Sequence, residues 1–232
     1  LLLCLPPHLL WKLLRLHSRW PPLFLGMAAR AVGARVTTAG DPRRGDVFFA
    51  SNHVSWIDIL ALGGATGTAF IAHDGIEAWP VVGWLAAQNN TIFVARERRQ
   101  DVGEQVGVLR EALTRHQPVT LFPEGTTGDG VTLLPFKPAL FAVMMPPPRA
   151  LAVQPIYIDY GVAAAEIAWF GEETAGANAW RVLGRKGRLD LSLRFLDPFD
   201  PEDLPDRKAI SAEARKRIEA CLPPFMPGPP PV

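Results

Sequence analysis

Short apolar runs alternating with helical patterns constrain this chain most. Val47 to Ala50, Thr68 to Ala72, Thr91 to Val94, Val119 to Phe122, Leu151 to Ile158 and Leu189 to Phe195 read as strands. Helical patterns lie between several of them, at Ile57 to Leu62, Val81 to Ala87, Gln100 to Arg115 and Leu140 to Met145. Alternation of this kind implies an α/β fold with a largely parallel, buried central sheet flanked by helices, and functional residues gathering where strands end. Arg207 to Leu222 is amphipathic and reads as the last helix. The Pro-rich tail, residues 223–232, is expected to be disordered or polyproline-like, because proline supports neither helix interiors nor central strands.

At 232 residues one domain is the default. A formal net charge of +1 gives no basis for nucleic-acid binding. Cys4 and Cys221 lie near opposite ends, and His8, His17, His53, His73 and His116 are scattered without metal-ligand spacing. No metal and no cofactor are expected.

The first residues, LLLCLPPHLLWKLLRLHSRWPPLFL, are strongly apolar but broken by prolines and basic residues, so no apolar run reaches the roughly 18 residues of a spanning helix. Between Leu9 and Trp20, Lys12, Arg15 and Arg19 recur on one side while Leu9, Leu10, Leu13, Leu14 and Trp20 fill the other. This is the pattern of a helix lying on an anionic membrane surface. A core-packing helix with a solvated basic side is the alternative. Pro21 and Pro22 are expected to stop that helix, and Leu23 to Val36 reads as a second one. Residues 1–40 thus form an expected amino-terminal, membrane-contacting helical segment and 41–222 the catalytic domain.

FFASNHVSWIDIL places His53 directly after a strand, with Asp58 beyond it. On one continuous helix the two would face apart. Ser-x-x-Asp from Ser55 to Asp58 fits a capping box that starts a helix at Trp56, which leaves His53 just outside and lets Asp58 reach back to its ring. Asp58 then accepts the Nδ1 proton and leaves Nε2 to take a proton from a hydroxyl. On spacing alone, a plain helix cap beside an ordinary loop histidine remains the other reading. VTLFPEGTTGDG follows another strand with a Pro-Glu-Gly-Thr turn at the same level, where the bland reading is a tight turn with an exposed Glu124. TIFVARERRQ sets Arg96, Arg98 and Arg99 ahead of a helix. Cations there are unfavourable by ~0.3 to 1 kcal/mol each, so an anion such as phosphate fits the space; a solvated charge run is the alternative.

Asn52-His53 with Ser55 and Asp58 resembles the NHxSxxD signature of the glycerolipid acyltransferase family. Ile92-Phe93-Val94 with Arg96 and Arg99 is similar to the family's second block, Phe122-Pro123-Glu124-Gly125-Thr126 to its third, and Val153-Gln154-Pro155-Ile156 to its fourth. The resemblance implies a membrane-bound enzyme, on the cytoplasmic face of the inner or plasma membrane, with a catalytic His53/Asp58 pair. It implies an acyl-CoA or acyl-carrier-protein donor, a lysophospholipid acceptor, and Arg96, Arg99, Glu124, Gly125 and Thr126 as substrate-binding residues; Lys137, in the LLPFKPAL segment beyond the turn, is expected to supply part of the positive charge that the third block lacks. Departures occur at Asn89-Asn90 and Ala95 in the second block and at Thr127-Gly128-Asp129-Gly130 after the third. They bear on the acceptor: 1-acylglycerol-3-phosphate is the leading expectation, and lyso-ornithine lipid, needing fewer cationic contacts, is the alternative. A thioester hydrolase lacks a nucleophile elbow here, and a non-catalytic membrane adaptor leaves the ordered blocks unexplained.

Overall fold

Val47–Ser51 is buried at every residue, the mark of a strand covered on both faces. The computed structural model describes residues 2–14, 16, 18–94 and 102–223. In chain order its elements are α1 (Leu5–Leu13), α2 (Trp20–Ala31), β1 (Ala34–Ala39), β2 (Val47–Ser51), α3 (Ile57–Thr66), β3 (Ala69–His73), α4 (Val82–Gln88), β4 (Ile92–Val94), α5 (Val102–Leu113), β5 (Val119–Leu121), β6 (Ala152–Asp159), α6 (Ala164–Ile167), α7 (Ala175–Leu183), β7 (Leu189–Phe195) and α8 (Arg207–Glu219). The strands form one 7-stranded sheet in the order β1-β7-β6-β2-β5-β3-β4. From β6 to β4 every pairing is parallel, so these strands end at one edge. β7 runs antiparallel to β6, and β1 pairs parallel with β7.

Alternation along β2 divides the core. Val47 and Phe49 enter a cluster with Ile57, Ala61 and Leu62 of α3, Ile167 of α6 and Val182 of α7. Phe48 and Ala50 face the other side, with Leu109 and Leu113 of α5, Phe141, and Ile210 and Ala214 of α8. Helices thus cover both faces. The expected helix over Leu140 to Met145 is a 3-10 segment, Ala139–Met144, and α6 and α7 were not anticipated.

The amino-terminal reading needs correction. Pro6, Pro7, Pro21 and Pro22 break no helix: they sit in the first turns of α1 and α2, where a missing N–H costs no intrahelical bond. The first helix therefore spans Leu5–Leu13 rather than Leu9 to Trp20; Lys12 lies in it, Arg19 caps the next helix, and Arg15 lies outside the described residues. The helix expected to reach Val36 ends at Ala31. Gly33, at φ 86, reverses the chain, and the β-branched run Val36-Thr37-Thr38 becomes edge strand β1, paired with β7 from Ala34↔Leu189 to Ala39↔Arg194. Residues 34–39 thus belong to the sheet. α2 then crosses α3 at very short range, Gly26 against Gly64. Of the Pro-rich tail, residues 224–232 lie outside the described residues.

Candidate active site

β2 ends at Ser51, and Asn52 extends its attachment to β6 by side chain: Nδ2 donates to the Ile158 carbonyl at 2.9 Å and Oδ1 accepts the Ile158 N–H at 2.7 Å. His53 is thereby presented at the carboxyl edge of the sheet. Asp58, in the first turn of α3, reaches back. Its Oδ2 accepts from His53 Nδ1 at 2.8 Å, from the Val54 N–H at 2.7 Å and from the Ser55 N–H at 3.0 Å. The helix begins at Ile57, one residue later than the capping box implied, and Ser55 Oγ reaches only the Ile57 N–H, at 3.5 Å. The carboxylate instead holds the two amides just ahead of the helix, and the positive end of the helix favours its charge.

Asp58 is fully buried, whereas the His53 side chain keeps 19% of its exposure, so one edge of the imidazole meets the outside. With Nδ1 donating to a carboxylate, Nε2 is left as an acceptor. The ring lies flat on Phe122, centroids 4.0 Å apart and planes 16° apart. Its main chain is held from both sides: Glu124 Oε1 accepts the His53 N–H at 2.8 Å, and the Gly128 N–H donates to the His53 carbonyl at 2.8 Å.

Glu124 follows β5 in the turn that Gly125 closes at φ 69. Its second oxygen accepts the Leu134 N–H at 3.0 Å, and only 3% of the residue is exposed. The bland reading of a tight turn with an exposed Glu124 is therefore corrected: its carboxylate ties the 122–134 loop to His53 from within. Burial pushes its pKa up to about 7, opposed by the two backbone N–H donors and the nearby His53, with Asp58 adding to the rise. Gly125 and Thr126 are exposed on the same loop, and so is Lys137, whose main chain donates to the Pro123 carbonyl at 2.8 Å. The Lys137 ammonium lies against Gly125, where a Cβ would stand 2.7 Å from Nζ. Arg96 and Arg99, with Arg98, lie outside the described residues.

Two contributors escaped the sequence reading. The Tyr160 hydroxyl, just past β6, donates to Asp58 Oδ1 at 2.5 Å. Trp169 joins the loops: its main-chain N–H donates to the Val54 carbonyl at 3.0 Å, and its carbonyl accepts from the Thr127 hydroxyl. Neither leaves a local signal, since both are remote in sequence from the residues they meet. A cavity of about 500 Å³ lies elsewhere. Its lining includes Ala69, Ile92 and Val119, at the opposite ends of β3, β4 and β5, so it is no part of this site.

Fold and site together define an α/β protein that presents a carboxylate-paired histidine at the carboxyl edge of a parallel sheet. The family model described as "Acyltransferase" matches residues 35–159, and the chain belongs to that family: it is an acyltransferase. It is 33% identical to a lyso-ornithine lipid O-acyltransferase of Brucella abortus, over 90% of this chain and 85% of that one. It is 31% identical to a 1-acyl-sn-glycerol-3-phosphate acyltransferase of Neisseria gonorrhoeae, over 84% of this chain and 77% of that one. In fold it is similar to the crystal structure of a 1-acyl-sn-glycerophosphate acyltransferase from Thermotoga maritima, with TM-score 0.63, 20% identity, and 86% and 76% of the two chains covered.

Proposed function

We propose that this acyltransferase esterifies the free hydroxyl of a lysophospholipid at a membrane surface, with His53 as general base and Asp58 as its partner. The observation that carries the reading is the 2.8 Å contact between His53 Nδ1 and a fully buried Asp58, on a ring otherwise open at one edge. Nε2 takes the acceptor's hydroxyl proton as that oxygen attacks the thioester carbonyl of acyl-CoA or acyl-carrier protein. An ester C–O bond forms, the C–S bond breaks, and the proton passes from Nε2 to the departing sulfur. Asp58 stabilises the imidazolium between the two transfers. No acyl-enzyme is needed.

The acceptor is 1-acylglycerol-3-phosphate in the leading reading, supported by likeness to the Neisseria enzyme and by the Lys137 ammonium beside Gly125. Arg96 and Arg99 are proposed to share the phosphate. Lyso-ornithine lipid is the second reading, supported by 33% identity to the Brucella enzyme. Membrane contact is supported by α1 and its C-cap: Leu9, Leu10, Leu13 and Leu14 are all exposed, and so are Lys12 and Arg19. Among the described residues no helix is long and apolar enough to cross a membrane. From the exposed leucines of α1, an interfacial contact on the cytoplasmic face is proposed.

Thioester release is the test, run with each acceptor and with none. Acceptor-dependent release is expected, greater with lysophosphatidate, and a folded His53→Ala or Asp58→Asn protein should lose about a hundredfold or more in kcat. Release indifferent to acceptor makes the enzyme a hydrolase; normal turnover by His53→Ala removes the general base.

A further inference from the structure

Asp58 distributes its hydrogen bonds unevenly. Oδ2 accepts from His53 Nδ1, the Val54 N–H and the Ser55 N–H, whereas Oδ1 has one donor among the described residues, the hydroxyl of Tyr160. Tyr160 is buried, and it is delivered by another strand: it follows β6, whose ladder to β2 fixes its distance from the His53 loop. A phenol donating to a carboxylate stabilises the anion and weakens its pull on a proton. That effect reaches the imidazole, because histidine and aspartate in contact take up protons as a coupled pair.

We propose that Tyr160 is a positioning residue that, through its hydrogen bond to Asp58 Oδ1, sets how readily the His53–Asp58 pair takes up a proton. The inference rests on His53 acting as the general base. Burial, and then the negative charge of Asp58, push the Tyr160 hydroxyl well above its usual range, so it remains a donor wherever the enzyme works. Among the described residues the other titratable groups facing His53 are Asp58 from α3 and Glu124 from the loop after β5, with Lys137 beyond Gly125; one ring face is covered by uncharged Phe122. Among the described residues Tyr160 is therefore the group behind Asp58 whose removal changes the carboxylate without touching the imidazole.

The test is the pH profile of kcat/KM for the parent, Tyr160→Phe and His53→Ala. Losing the donor makes the carboxylate more basic, so the pair protonates more readily and the acidic limb should move to higher pH by about half to one unit. Below the limb Tyr160→Phe should then be up to about tenfold slower, while the plateau and the donor KM change by less than about threefold. A residue that only packs would lower the plateau and leave the limb in place. The chain holds 2 tyrosines, Tyr157 and Tyr160, so global 3-fluorotyrosine in a Tyr157→Phe background labels one site. That more acidic phenol donates more strongly and should move the limb to lower pH. If His53→Ala is inactive and neither change moves the limb, the role of Tyr160 is refuted and the general base stands. If folded His53→Ala remains active, the underlying reading fails with it. Should Tyr160→Phe not fold, the fluorotyrosine protein decides, and an unmoved or raised limb overturns the inference.

Discussion

Alanine at Gly64 should strain the crossing of α2 over α3, and the size of the effect can be worked from the backbone. A Cβ at Gly64 would stand 2.6 Å from both Cα and N of Gly26. Carbon contacts settle at about 3.5 to 4.0 Å, and these partners are main chain, so the helices must part by about 1 Å. Overpacking of that order costs about 1 to 3 kcal/mol. Alanine's better helix propensity returns about 1 kcal/mol at the same position. Gly107 in α5 isolates that second contribution, since a Cβ there meets nothing within 4 Å. Gly64→Ala and Gly107→Ala should therefore differ in stability by about 1 to 3 kcal/mol, the strain alone. For a chain of this size that corresponds to roughly 2 to 12 °C in denaturation midpoint, Gly107→Ala being the higher. Gly26→Ala gives a second comparison, because its Cβ would meet Gly64 Cα at an ordinary 3.7 Å and should be tolerated. Thermal unfolding of the three variants is the assay. Equal midpoints for Gly64→Ala and Gly107→Ala would refute the close crossing.

Glu124 should make stability depend on pH. Its folded pKa of about 7 lies above the ordinary 4.5, so the fold binds this proton better than the unfolded chain does. Its contribution is full below the ordinary value and is lost as pH rises through about 7, at most about 3 kcal/mol. Glu124→Gln should flatten that fall, although one of the two backbone N–H groups then loses its acceptor; urea midpoints that run parallel for both proteins across this range would contradict it. In α1, Leu9 is 49% and Leu13 79% exposed, so changing both to Ser should alter stability by less than about 0.5 kcal/mol each. Binding to anionic vesicles should nevertheless fall at least about tenfold, and unchanged co-sedimentation would place the membrane contact elsewhere.

The sheet after residue 46 was legible because its strands are short apolar runs bounded by helical patterns, and burial on both faces leaves little room for other residue types. Antiparallel β7 was legible as a strand but not in direction: its alternation of buried Leu189, Leu191, Leu193 and Phe195 with exposed Asp190 and Arg194 says that one face is wet. β1 was missed for a physical reason. β1, with Val36, Thr37 and Thr38, follows an apolar helix with only Val32 and Gly33 between them, and the pairing that makes it a strand lies with β7, far along the chain. The prolines misled because their local effect depends on position: the same residue that breaks a helix interior is harmless in a first turn.

At the site, the local and the distant parts separate by what each does. His53 and Asp58 could be paired from sequence because the turn at Ser55 brings them together within one short window, and the Val54 and Ser55 amides that hold the carboxylate lie in it too. Glu124 was placed in a turn but not inside the protein, because its acceptors' partners, His53 and Leu134, become visible only once β2 and β5 lie side by side. Tyr160 is further still, reached through the β2–β6 ladder. A parallel sheet ends its strands at one edge, so each neighbouring strand can add one group to a pair that β2 and α3 already form. The pair can then hold its geometry while groups from β5 and β6 adjust its surroundings, and changes at Glu124 or Tyr160 should move pH dependence where changes at His53 or Asp58 abolish turnover.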